Sequence, residues 1–243
     1  MTALKKLYQL ALLILIISFG IMLERVGLIE YFTVTEHWNE MLRLAGEHIT
    51  LVAISMALAT VTGLTVGIVF TRRSLRKVSG IIMYIVGLGQ TIPSIAVLAL
   101  VMGVLNIGAK TAIFALFIYS VLPIARNTLA RITSVPPSMI DAAKGMGMTP
   151  FRILVSVELP NSMRVILTGF RVALIINIGT AALAYLIGAG GLGELIFTGI
   201  DMMQTEKMLA GALPVTIMAL FADFLCSLLR YALIPRGLRL KEA

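Results

Sequence analysis

Two long apolar runs of the chain are joined by the stretch SVPPSMIDAAKGMGMTPFRILVSVELP, residues 134–160. Its first part predicts a short helix, because Pro137 suits the first turn of a helix, where no backbone N–H is needed. Gly145 and Gly147 are expected to break that helix, since glycine adopts the left-handed backbone that often follows a helix end. The stretch is long for a connection between packed helices, and long loops usually have a function of their own.

A second short helix follows in the same stretch. Thr149 provides an N-cap, and Pro150 is a first-turn proline. We expect Pro160 to end this helix, because proline cannot donate a backbone hydrogen bond. Two short helices projecting between apolar runs form a natural docking surface for a soluble partner.

The whole chain is too apolar to be covered by its own polar surface in water. Of its 243 residues, 59% are hydrophobic and 13% are charged, and the mean hydropathy is +0.99. Soluble domains carry about 25% charged residues. The excess apolar surface therefore predicts an all-α, polytopic membrane helix bundle.

Six stretches are apolar and long enough to cross a hydrocarbon core of about 30 Å. They are residues 8–29, 49–71, 79–104, 111–131, 163–188 and 208–233. The third contains Gly87, Gly89 and Pro93, which predict a kink or a local unwinding. This divides the chain into an N-terminal span with an outer segment (1–48), a core (49–233, including the loop 134–160) and a tail (234–243).

The charges separate by side when the N-terminus is placed in the cytoplasm. Sixteen of the 20 Lys and Arg residues then lie inside, and eight of the 12 acidic residues lie outside. The inner basic residues are Lys5, Lys6, Arg72, Arg73, Arg76, Lys77, Arg126, Arg131, Lys144, Arg152, Arg164, Arg171, Arg230, Arg236, Arg239 and Lys241. This is the distribution of the positive-inside rule, so the net charge of +8 reflects topology and not nucleic-acid binding. Both termini are expected in the cytoplasm.

The polar segment 30–48 is expected outside, with an interfacial helix around Trp38. His37 and His48 lie in it, and without Cys or paired carboxylates at ligand spacing we expect them to be solvated and not metal-bound. Cys226, the single cysteine, lies in an apolar run and is interpreted as a packed hydrophobic residue.

A spaced set of residues within 134–160 carries a specific resemblance. It consists of an acidic residue and two alanines, a glycine after three more residues, and an aliphatic-x-Leu-Pro group after nine more. The residues are Asp141, Ala142, Ala143, Gly147, Val157, Leu159 and Pro160. The set resembles the EAA loop of binding-protein-dependent ABC importer permeases, although Asp replaces the usual Glu and Val stands where Ile is common.

This resemblance implies the fold of an ABC type I importer permease and no catalytic residue, cofactor or metal. The loop would fit a groove in a separate ATP-binding subunit, and small side chains at Ala142 and Ala143 would permit close approach. The implied partners also include a second permease subunit, as a copy of this chain or a paralogue, and an extracytoplasmic substrate-binding protein, in the inner membrane of a bacterium. Two phosphate-site patterns, at 103–110 and 188–193, lack the strand–helix context or the Gly-Lys-Ser/Thr triplet that such sites need.

Further segments are similar to the glycine betaine, carnitine and choline group of these permeases. They are GQTIPS at 89–94, LPIARNT at 122–128, AAKGMGMT at 142–149, and INIGTA and LIGAGGLG within 176–193. The resemblance implies import of a quaternary-ammonium osmoprotectant. A permease for another small solute such as methionine, or an ion-coupled secondary transporter, are the alternatives; the latter predicts inverted repeats and buried acids.

Polar residues inside spans mark a passage or join helices. The candidates for a passage are Gln90, Pro93, Asn177 and Thr180. Asp223 lies deep in the last span and is predicted to pair with a basic residue near the inner face. The small residues Ala59, Gly63 and Gly67, four apart, predict a close helix–helix contact.

Overall fold

The protein is a bundle of helices connected by short loops. The computed structural model describes residues 2–72, 75–89 and 91–233, and no strand occurs among them. The helices are α1 Thr2–Arg25, α2 Leu28–Tyr31, α3 Thr35–Val69, α4 Arg76–Gly89, α5 Ser94–Leu105, α6 Ala109–Thr133, α7 Pro137–Gly145, α8 Pro150–Ile153, α9 Leu159–Ala181, α10 Gly193–Asp201 and α11 Thr205–Leu233. A π-turn, Leu154–Glu158, joins α8 to α9, and a 3₁₀ turn, Ala182–Ile187, extends α9.

Four of the six predicted spans correspond to helices that are long and apolar enough to cross a membrane. Within the described residues these are Thr35–Val69, Ala109–Thr133, Pro150–Ile187 and Thr205–Ala232. The third predicted span is a pair of helices, Val78–Gly89 and Ser94–Leu105, bent by 98°, so the break expected near Pro93 is confirmed. Helix α1, Thr2–Arg25, overlaps the first predicted span, but it is neither one of these four helices nor part of the bent pair. The tail 234–243 lies outside the described residues.

The core forms where α3, α6 and α9 pack together. Ala59, Leu116 and Ala173 are buried at this junction, and Gly63 and Gly67 lie directly against α6. A Cβ added to Gly67 would lie 2.5 Å from Cβ of Thr128, so the predicted small-residue contact is confirmed. A second apolar cluster at one end of the bundle joins α2 and the start of α3 to α10 and α11.

Two expectations about helix boundaries are wrong. The segment around Trp38 is not a separate interfacial helix, because α3 begins at Thr35 and runs without a break to Val69. Its 35 residues extend about 52 Å at 1.5 Å per residue, so one end projects well beyond a hydrocarbon core of about 30 Å. The second expectation is that Pro160 ends a helix; instead it lies in the first turn of α9.

A π-turn explains how the chain continues through Pro160. The backbone N–H of Leu159 donates to the carbonyl of Leu154, five residues back, which widens the helix by one residue. Proline contributes no N–H. The side-chain amide of Asn161 donates to the carbonyl of Val157 at 2.7 Å, which supplies a partner for a carbonyl in this widened turn.

Candidate coupling segment and passage residues

The stretch 134–160, named here the hairpin segment, forms the first predicted short helix, α7; the second predicted helix begins at Pro150 as expected but continues through the π-turn and α9 to Ile187. Helix α7 ends at Gly145, and Gly147 has a left-handed backbone with φ of 75°. The N–H of Gly147 donates to Lys144 O, and the N–H of Met148 donates to Ala143 O. These two bonds are the Schellman pattern that closes a helix at a glycine. The hydroxyl of Thr149 then accepts from the N–H of Arg152 and caps α8, as predicted.

The hairpin segment presents an exposed face with apolar side chains. Met146 and Phe151 are 69% and 75% exposed, and Ala142 is exposed as well. Ala143 is instead buried within this chain at 1% exposure, so only Ala142 of the two alanines is open to a partner. Asp141 is exposed and its carboxylate accepts from Lys144 Nζ at 2.9 Å.

The remaining residues of the predicted coupling set, Val157, Leu159 and Pro160, lie in the π-turn and at the start of α9. All three are half-buried. They therefore form the base of the hairpin segment, where its exposed part continues into the long apolar helix α9.

A cleft of about 590 Å³ separates the hairpin segment from the ends of α3 and α6. Two ion pairs line it: Asp141 with Lys144, and Arg72 with Glu158. Arg72 Nη2 donates to Glu158 Oε2 at 2.6 Å across 86 residues of sequence. Sequence reasoning missed this second pair, because no local spacing connects the two residues.

Asn177 is fully buried at the junction of three helices. Its side-chain amide donates to Ser120 Oγ on α6 at 2.7 Å and to Ser55 Oγ on α3 at 3.0 Å. These contacts join helices, which was the alternative interpretation of a polar residue in a span. Thr180 is half-buried, and its hydroxyl donates to Ile176 O in its own helix at 2.8 Å. Asn177 and Thr180 therefore have different surroundings.

Of the other passage candidates, Pro93 is exposed immediately before α5, and Gln90 lies outside the described residues.

Asp223 accepts two hydrogen bonds from the guanidinium of Arg171, one from Nε and one from Nη2 at 2.7 Å. Its predicted pairing with a basic residue is therefore confirmed. Cys226 is buried, as expected.

The prediction of a solvated His48 is wrong. The glycine-rich loop 188–193 covers this residue, and His48 is fully buried. Its Nε2 donates to Ile178 O at 3.0 Å. The neighbouring Glu47 accepts from the N–H of Gly191 at 3.0 Å, so both residues bind elements more than 100 positions away.

His37 stacks on the ring of Tyr31 with centroids 4.0 Å apart, and burial raises the pKa of Tyr31.

Comparison with known proteins places this architecture in a family. The chain is 43% identical over 205 residues to the choline transport system permease protein OpuBB of Bacillus subtilis, covering 84% of this chain and 94% of that protein. It is 39% identical over 204 residues to the carnitine transport permease protein OpuCB of Listeria monocytogenes, covering 84% and 93%. The osmoprotectant import permease protein OsmY of Salmonella typhimurium is 45% identical over 186 residues, covering 76% and 79%.

Solved structures show the same fold at lower sequence identity. The inward-facing MetNI methionine ABC transporter superposes with a TM-score of 0.73 and 24% identity, covering 83% of this chain and 100% of the matched chain. An amino acid ABC transporter crystallised with histidines gives a TM-score of 0.68 at 18% identity, covering 83% and 98%. Residues 63–237 match the family described as binding-protein-dependent transport system inner membrane component, and the chain is a multi-pass membrane permease of that family.

Proposed function

We propose that this chain is the permease subunit of an ATP-driven importer for quaternary-ammonium osmoprotectants such as choline, carnitine or glycine betaine. The observation that carries the proposal is the similarity over more than four-fifths of the chain to permeases named for choline and carnitine. ATP hydrolysis belongs to a separate subunit, and substrate arrives on an extracytoplasmic binding protein. A second permease subunit, identical or related, completes the passage.

The coupling proposal rests on the shape of the hairpin segment. Ala142, Met146 and Phe151 are exposed on a compact pair of helices, while Ala143 holds α7 to the rest of the chain from the buried side. An exposed apolar face on a rigid projecting element is suited to insertion into a groove of a partner. The hairpin segment thus has a docking surface and a base that passes movement on to α9. The surface contains Asp141, Ala142 and Gly147, and the base contains Val157, Leu159 and Pro160.

The passage proposal rests on the break between α4 and α5. Thr91 and Pro93 are exposed there, and Pro93 lacks a backbone N–H. Broken helices at membrane depth are stable only where protein or a water-filled cavity covers them, because lipid offers no hydrogen-bond partner. We therefore place the face that carries Pro93 toward the passage and the second permease subunit, with Thr180 and Gln90 as further candidates.

Coupling is tested by blocking the exposed face without disturbing the fold. Ala142→Trp adds a large side chain where this chain leaves space, and Thr65→Trp adds the same side chain at an exposed site on α3. With a tagged permease co-produced with its ATP-binding subunit, Ala142→Trp is expected to reduce the ATPase recovered at least tenfold. Thr65→Trp should recover wild-type amounts within twofold. Equal recovery with both variants would refute docking at Ala142.

The substrate is tested by uptake of labelled choline, carnitine, glycine betaine and methionine into cells that lack other carriers for them and produce the complete transporter. Uptake of one or more of the three quaternary amines, abolished by removal of the binding protein, is expected. Uptake of methionine alone would assign the chain to another substrate class.

A further inference from the structure

Glu158 occupies a distinctive position in the hairpin segment. It is the last residue of the π-turn, at the point where the hairpin segment becomes the long helix α9. Its side chain is only 13% exposed, and it points to the end of α3 and not to its own helix. π-turns inside α-helices are rare and often mark functional sites.

Arg72, the partner of Glu158, is fixed to the end of its own helix. Its Nη2 donates to Thr71 Oγ1 at 2.7 Å, and Thr71 Oγ1 in turn donates to Ile68 O at 2.6 Å in the last turn of α3. These bonds hold the guanidinium in the orientation in which it contacts Glu158. A planar guanidinium with several fixed donors loses little freedom in each further hydrogen bond.

The ion pair joins the hairpin segment to the chain just after α3, beyond the point where Gly67 packs against α6. The hairpin segment is continuous in sequence with α6 and α9, so any movement of it acts on those helices directly. Helix α3 is not continuous with the hairpin segment: it packs against α6 at Gly63 and Gly67, and the cleft lies between its end and the hairpin segment. In the described part of the chain, the Arg72–Glu158 pair is the ion pair that crosses this gap.

We propose that Arg72 and Glu158 are positioning residues that transmit movement of the hairpin segment directly to the end of α3, in addition to the packing of α3 against α6. The inference rests on the proposed function, because it assumes that an ATP-binding subunit moves the hairpin segment. Without the pair, the end of α3 receives this movement only through its packing against α6, and ATP is hydrolysed without a complete opening of the passage.

The test measures coupling in the complete transporter, with ATP-binding subunit and binding protein, in proteoliposomes. Arg72→Gln and Glu158→Gln are each expected to raise the ATP hydrolysed per substrate imported at least threefold. The charge-exchanged double variant Arg72→Glu/Glu158→Arg should return the ratio to within twofold of wild type. Arg131→Gln, which removes a charge at the same end of the bundle but loses only a local bond to Ser134, is the matched control and should leave the ratio unchanged.

Two outcomes would overturn the inference: unchanged ratios in the single variants, or a charge-exchanged variant no better than the singles. If a single variant does not elute as an intact complex, Thr71→Val replaces it. Thr71→Val removes only the hydroxyl that orients Arg72, and a smaller rise in the ratio is expected; no rise would equally overturn the inference. A wild-type complex without substrate-stimulated ATP hydrolysis would instead refute the proposed function.

Discussion

One amide at the centre of the bundle satisfies polar groups on three helices. Asn177 on α9 donates to Ser120 on α6 and to Ser55 on α3, and Ser55 donates onward to Val52 O at 3.1 Å. All three side chains are buried, where an unpaired polar group is costly. The arrangement fixes the rotation of each helix relative to the others, because only one register brings the three groups within hydrogen-bond distance.

Replacing Asn177 by Leu should destabilise the permease. The change keeps the approximate volume but removes the interhelical hydrogen bonds of the Asn177 side chain, of a kind worth about 0.6–1.7 kcal/mol each in membrane proteins. We expect a loss of about 1–2 kcal/mol, measured as a lower unfolding midpoint in detergent. Thr180→Val is the control, because Thr180 bonds only to its own helix, and it should change stability by less than about 0.5 kcal/mol. Equal effects of the two changes would contradict a three-helix network.

Single residues differ in how much the sequence reveals about them. An aspartate deep in a span must be paired, so the pairing of Asp223 could be predicted, whereas its partner Arg171, 52 residues away, could not be singled out. Burial of His48 depends on the glycine-rich loop, and nothing in its own neighbourhood indicates that a loop 140 residues later will cover it. Residue types thus show what must be satisfied, and the fold determines by which group.

At the scale of elements, α3 and α6 approach each other closely because α3 presents small residues. Gly63 and Gly67 lie on one face, four residues apart, and a Cβ on either would meet atoms of α6 within 3 Å. In lipid, helix association depends on such close packing and not on a hydrophobic driving force. The lack of side chains at Gly63 and Gly67 therefore permits the close packing that stabilises this interface.

Gly67→Ala should separate these helices. The added methyl would lie 2.5 Å from Cβ of Thr128 and 3.0 Å from the carbonyl of Ala125, and the backbone atom cannot turn away. We expect destabilisation of about 1–3 kcal/mol, as for overpacked cores. Gly46→Ala, on the same helix with open space around it, should be neutral or slightly stabilising. Thermal unfolding in detergent measures both; an effect at Gly46 as large as that at Gly67 would exclude steric contact as the cause.

The ends of the elements were harder to predict than their existence. Hydropathy identifies apolar length, so it located the helices around 111–131 and 208–233 but could not show that the polar residues after Thr35 continue one helix with the span. Pro160 predicts a helix end from its own chemistry. The π-turn and Asn161 remove that conflict, and both depend on the neighbouring residues in three dimensions.

For the whole molecule, contacts between distant segments divide the bundle into two ends. One end joins the hairpin segment to the end of α3 through Arg72 and Glu158. The other joins the start of α6 to the end of α9, where the N–H of Gly108 donates to Ile187 O at 2.9 Å, and holds the loop of Gly191 against Glu47. The positive-inside rule predicts that the first end faces the cytoplasm.

This orientation can be tested with single cysteines placed at the two ends. The background is Cys226→Ala, since Cys226 is the one natural cysteine and is buried. Met203 is 92% exposed at the end that carries Gly191, and Phe151 is 75% exposed on the hairpin segment. In right-side-out vesicles, a membrane-impermeant maleimide should label Met203→Cys and spare Phe151→Cys. In inverted vesicles the pattern should reverse, and detergent should make both sites reactive.

The labelling separates two explanations of the charge distribution. If Phe151→Cys reacts from outside, the hairpin segment cannot meet a cytoplasmic ATPase, and the basic residues around it would have to be explained by something other than topology. If it reacts only from inside, α7 and α8 stand on the side where ATP is available, and the exposed face of Ala142 lies where a soluble ATP-binding subunit can reach it. Because each cysteine serves as the other's control in both vesicle types, poor labelling of one site cannot imitate either result.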